Sequence, residues 1–161
     1  MAASRAGDAE DVGEHATIER SLHIEASPDV VFAVISDPAH VREWWADDAE
    51  FAAGEPGWLG FGDLETGGKR VRFQVADAVP SRLFSFWWTH EEGVEPGPTT
   101  ANLVVFELEP SGTGTLLSFR ESGFRERGWT EAKAREVHAD HSNGWDHFLG
   151  VLTTYAVGVA R

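Results

Sequence analysis

The stretch VHADHSNGWDHFLGVLTTYAVGV, residues 137–159, decides the fold. Within it Val137, His141, Trp145, Phe148, Leu149, Leu152, Tyr155, Ala156 and Val159 recur at three- and four-residue steps, the period of an amphipathic helix. Composition turns helical after Gly128, so the pattern predicts one long helix of roughly 30 residues that ends the chain. Such a helix carries a wide apolar stripe, and the rest of the chain has to supply the surface that covers it.

Upstream, the period changes from helical to two. From Asp47 to about Phe124, Gly- and Pro-rich turns separate alternating runs, which reads as an antiparallel meander with strands at Trp58–Asp63, Val71–Val79, Leu83–His90, Ala101–Glu109 and Thr115–Ser122. A weaker strand is expected at Glu50–Ala53. At the start, Ile18, Arg20, Leu22, Ile24 and Ala26 alternate with Glu19, Ser21, His23 and Glu25, the pattern of a half-buried strand. Ser27-Pro28-Asp29 then supplies a helix cap with proline at the first helical position, and Ser36-Asp37-Pro38 ends that helix and opens a second, Ala39–Trp45. Strand, two short helices, meander and long helix pack as an α+β fold: a curved antiparallel sheet wrapped around the C-terminal helix, with a pocket between them.

Residues 27–38, Ser-Pro-Asp-Val-Val-Phe-Ala-Val-Ile-Ser-Asp-Pro, resemble the opening motif of the START-like, polyketide-cyclase-like SRPBCC superfamily. Trp44-Trp45, Arg82-Leu83 with Trp87, Gly123-Phe124 and His141-x-x-Gly144-Trp145 resemble its branch named for homology to an activator of a heat-shock-protein ATPase. The resemblance spans about residues 16–157. It implies the helix-grip fold and, as the activity of many members, the binding of a small hydrophobic molecule. These motifs are structural, so they specify the fold more closely than the function.

The chain has 161 residues, enough for one core, and reads as a single domain over 16–161 preceded by an acidic tail, 1–15, expected to be mobile. A formal charge of -14 repels phosphate backbones, so nucleic acid and anionic membrane surfaces are poor partners. With no cysteine there is no disulfide or thiolate chemistry. The start lacks the basic and apolar regions of an export signal and no apolar run reaches membrane-spanning length, so a cytoplasmic location is the default. Ten Phe and seven Trp against one Tyr is a heavy load of rings, which must fill a core or line a cavity.

The candidate cavity residues are therefore mostly rings: Trp44, Trp45, Trp58 and Phe61 at the expected entrance, Phe73, Phe86, Trp88 and Phe119 on the strands, and Trp145 and Phe148 on the long helix. Two polar residues join them. Strand alternation puts Glu121 on the side of Leu117 and Phe119, and helical spacing puts His141 one turn before Trp145. If Glu121 points inward it needs a partner, and His141 is the one geometry offers; otherwise it sits at a frayed strand end in water. His138-x-x-His141 lacks a third and fourth ligand, so no metal and no other cofactor is expected. Gly144 interrupts the helix, either for close approach to the sheet or for a bend beside the cavity.

The two apolar faces of Leu83–His90 suggest a covered outer face, a bulge or a homodimer interface. Three functions follow: binding of a lipid, polyketide or aromatic metabolite; a co-chaperone-like interaction module, suggested by the branch name; or a cyclase- or hydrolase-type enzyme using Glu121 with His141 or His90 as acid and base. No diagnostic catalytic motif is present, which favours the binder.

Overall fold

Residue alternation builds a seven-stranded sheet in the computed structural model, which describes residues 16–161. The acidic segment read as a tail, 1–15, lies outside the described residues. The strands are β1 (Thr17–Ile24), β2 (Asp48–Glu50), β3 (Gly57–Phe61), β4 (Lys69–Val79), β5 (Leu83–Trp88), β6 (Asn102–Ser111) and β7 (Gly114–Ser122). Their order is β1-β7-β6-β5-β4-β3-β2, every neighbouring pair antiparallel. The first strand thus pairs with the last, while the meander runs outward to β2.

Proline and aspartate set the helices as their chemistry requires. In α1 (Pro28–Ser36) the Ser27 hydroxyl accepts from the Val30 N–H, and in α2 (Pro38–Trp44) the Asp37 carboxylate accepts from the Ala39 N–H at 2.8 Å. The indole of Trp44 donates to the Val34 carbonyl at 2.9 Å and ties the two helices together. Thr130 caps the long helix α3 (Glu131–Ala160) by accepting from the Lys133 N–H. Trp145, Leu149, Leu152 and Ala156 form its buried stripe, at the spacing that defined it in the sequence.

Among the differences from expectation, two strand boundaries and the place of the bulge have local reasons. The short second strand is Asp48–Glu50 rather than Glu50–Ala53, because Phe51 turns inward to stack on Phe73 at 4.3 Å and leaves the ladder. β5 ends at Trp88 rather than His90, because His90 takes a left-handed φ of 46°, which no strand continues. The bulge lies in β4, where pairing with β5 shifts register between Val75 and Asp77. On the outer face of β5, Trp87 lines a pocket of about 270 Å³ with Gln74 and Pro96-Gly97-Pro98.

Candidate functional site

Glu121 sits near the end of β7, opposite Val104 of β6 and Ile18 of β1, and is 0% exposed. A carboxylate in that position is costly unless donors replace its water, and four do. The indole N–H of Trp88 and the amide of Asn102 donate to Oε2 at 2.8 and 3.1 Å. The indole N–H of Trp145 and Nδ1 of His141 donate to Oε1, each at 2.8 Å. Trp88 and Asn102 are register partners across β5 and β6, while Trp145 and His141 lie one turn apart on α3. The carboxylate therefore pins the sheet to the helix.

Burial alone pushes the Glu121 carboxyl up, but the charge of His141 and the hydrogen bonds from His141, Trp145 and Asn102 outweigh it and hold the group below the ordinary carboxylate value. Glu121 is thus the acceptor and His141 the donor of their shared bond, which fixes the imidazole ring.

A second network is joined to the first through Asn102. Arg127 donates from Nη1 to Nε2 of His90 at 2.6 Å and to the side-chain oxygen of Asn102 at 3.1 Å, and from Nη2 to Glu91 at 2.6 Å. Arginine can only donate, so Nε2 of His90 is an acceptor and the ring proton sits on Nδ1. Burial first, then the positive charges of His141, Arg127, Lys69 and Lys133, push His90 down to about 2 and keep it neutral. Its ring meets that of His141 edge to face, 4.6 Å between centroids. Gly123, at φ 112°, permits this arrangement, since a Cβ there would stand 3.1 Å from the side-chain oxygen of Asn102.

Above this polar floor lies a cleft of about 190 Å³ between β5 and α3. Trp45, Phe61, Trp88, His141, Trp145 and Phe148 line it, and Lys69, His90, Asp140 and Gly144 complete its rim. Gly144 neither touches the sheet nor lets it approach: a Cβ there would meet nothing within 4 Å, so the glycine widens the cleft. Lys69 donates from Nζ to the carbonyl of His90 at 2.7 Å.

Glu121 and His141 are in the contact that their periods suggested. Five rings expected at the cavity are elsewhere. Trp44 stacks on Trp45 at 5.8 Å and faces Phe106, within the core. Phe73 and Phe86 stack on each other at 4.3 Å and fill the gap where the cavity was expected to extend. Phe119 packs behind Trp145 at 4.6 Å, and Trp58 lies under the Arg70 guanidinium at 3.9 Å, away from the cleft. Alternation says that a ring faces inward, not whether it borders a void.

Asn102, Arg127 and Lys69 were not foreseen in the sequence. Asn102 carried a usable signal, because it shares an alternating face with Val104, Phe106 and Leu108, where a polar residue stands out. Arg127 lies in a 3₁₀ turn, Arg125–Arg127, with no period to read. A larger groove of about 780 Å³ beside Ser27, Asp29, Ser81, Arg82 and Glu107 has no aromatic ring in its wall and lies apart from both networks. Among the described residues no cluster of His, Asp or Glu is arranged to hold a metal ion, and no helix is long and apolar enough to cross a membrane.

A curved sheet gripping a long helix, with an aromatic cleft at one end of the gap, defines a helix-grip protein of the START-like SRPBCC superfamily. The family described as "Activator of Hsp90 ATPase homolog 1-like protein" matches residues 25–156, and the chain belongs to it. Similar solved structures include MLL2253 from Mesorhizobium loti, at 21% identity and TM-score 0.70, covering 90% of this chain and 98% of that one. The Aha1 dimer from Colwellia psychrerythraea is similar at 22% identity and TM-score 0.65, covering 85% and 92%. DynU16, from the dynemicin biosynthetic locus, is similar at 21% identity and TM-score 0.67, covering 87% of this chain and 46% of that one. These likenesses establish the fold. No curated protein matches the sequence.

Proposed function

We propose that this protein binds a small, largely apolar molecule in the cleft between β5 and α3. The observation that carries the reading is a cavity walled by Trp45, Phe61, Trp88, Trp145 and Phe148 over the Glu121–His141 pair. Apolar walls with a few convergent polar groups are the general character of small-molecule sites. Size narrows the choice. An apolar cavity of about 150 Å³ holds benzene, whereas drug-sized ligands need about 300 Å³ or more. At about 190 Å³ the cleft suits an aromatic metabolite of one or two rings rather than a lipid or a polyketide.

Trp45, Trp88 and Trp145 line the cleft, so their fluorescence reports occupancy directly. Titration with naphthalene should quench it, palmitate should not, and Gly144→Leu, whose Cβ would meet nothing within 4 Å and whose further atoms would occupy the cleft, should abolish the response. Palmitate binding without naphthalene binding would overturn the size argument.

A second reading is favoured by the family description alone: an interaction module acting on a chaperone ATPase, as a monomer or as a homodimer like the Colwellia protein. Stimulation of that ATPase by the chain, undiminished in Gly144→Leu, would favour this reading over the cleft.

A further inference from the structure

The polar floor of the cleft says more than that a ligand is small and apolar. Both oxygens of Glu121 are saturated by four donors, so the carboxylate offers nothing directly to a ligand. It acts on His141 instead. With Nδ1 committed to Oε1, the remaining polar atom of the ring is Nε2, which has no hydrogen-bond partner among the described residues. The side chain is 13% exposed and lines the cleft.

We propose, building on the cleft reading above, that the ligand is a small aromatic acid, a phenol or an aryl carboxylic acid, held as its anion against Nε2–H of His141. The ligand's O–H proton is given up to solvent, and its oxyanion accepts from Nε2–H of the same positively charged ring whose Nδ1–H donates to Glu121. Glu121 is the positioning residue, since it holds the ring in the orientation that presents Nε2 and balances the imidazolium charge.

The charges that face His141 close this account. Glu121 lies on β7, His90 beyond β5, Lys69 at the start of β4, Arg127 in the turn before α3, and Asp140 beside His141 on α3. His90 is neutral, and Arg127 is already paired with Glu91. Imidazolium and Glu121 cancel, which leaves the Lys69 ammonium on the same cleft as the counter-ion for the ligand oxyanion. Asp140 is exposed at the rim, where solvent screens it. A neutral aromatic of the same shape would gain burial but neither the ion pair nor the charged hydrogen bond.

4-Nitrophenol is a suitable probe, because its anion absorbs visibly and its neutral form does not, and nitrobenzene is its closely shaped control. At a pH about one unit below the solution midpoint of 4-nitrophenol, the intact chain should bind it with appearance of the anion band, about tenfold or more tighter than nitrobenzene. In His141→Gln the band and the tenfold preference should vanish while nitrobenzene still binds. Lys69→Met should lower the preference and leave nitrobenzene binding as it was. Equal binding of both probes without the band would overturn the proposal and leave the apolar cleft standing, as would a band that survives in His141→Gln. Binding of neither probe would overturn both. Glu121→Gln should lower the ratio of 4-nitrophenol to nitrobenzene affinity, because the ratio isolates the positioning of His141 from any change in the cleft walls.

Discussion

The space between sheet and helix has two ends built from different rings. At the closed end Phe51, Phe73, Phe84 and Phe86 stack at centroid distances of 4.3 to 6.2 Å and bring no polar atom with them. At the open end Trp45, Trp88 and Trp145 gather over Glu121, and two of the three spend their N–H groups on its carboxylate. Phenylalanine closes space because it can pack from any side. Tryptophan bound to a fixed acceptor cannot shift to fill a gap, so the ring that satisfies the carboxylate also props the cleft open. The helix shows the same division, with His141 and Gly144 at the open end and Leu149, Leu152 and Ala156 buried further along.

Trp145 offers the largest test of this contrast. Trp145→Ala should destabilise by about 3–5 kcal/mol in denaturant unfolding. Trp145→Phe keeps most of the packing but removes one donor from a buried carboxylate, and should still cost about 1–3 kcal/mol. A cost near zero for Trp145→Phe would erase the distinction between the two ends.

Acid should act on the open end. In the unfolded chain His90 titrates near its ordinary value of about 6.5, whereas in the fold it is pushed down to about 2. Between those values the unfolded state binds the extra proton, so stability falls as pH drops below about 6.5, by up to about 1.4 kcal/mol per pH unit. Glu121 works in the same direction at lower pH. Its folded value is also depressed, so its contribution is present above about 4.3 and is lost as pH falls through the folded value. Unfolding curves recorded from pH 7 to 5 should therefore be flatter for His90→Gln, which retains an acceptor for Arg127. An unchanged slope would place the acid sensitivity elsewhere.

Gly144→Ala sharpens the comparison from the other side. Its Cβ enters empty space, so the helix should gain about 0.5–1 kcal/mol, read as a raised melting temperature. A loss would mean that the cleft is narrower than described. The smallest effect is expected from removing residues 1–15, whose like charges and near-absence of large apolar side chains leave little to bury. The melting temperature of the shortened chain should match that of the whole one, and a drop of many degrees would show that the segment docks.

Much of the architecture was legible in the residues themselves. Two-residue alternation placed the five main strands of the meander and turned Glu121 inward, three- and four-residue spacing placed α3 and its buried stripe, and Ser27-Pro28 and Asp37-Pro38 placed the short helices. Period is a local property, set by the geometry of one strand or one helix, so it survives in the order of residues. What it does not carry is distance between elements. Whether Phe73, Phe86 and Phe119 border a void or fill it depends on ring volumes contributed by several elements at once. The convergence of Trp88, Asn102, His141 and Trp145 on one carboxylate depends on sheet register and helix placement together, and Arg127 reaches Asn102 from a turn that has no period. The sequence by itself determined which residues face the interior. Only the tertiary structure decided which of them meet, because packing, unlike periodicity, sums over the whole chain.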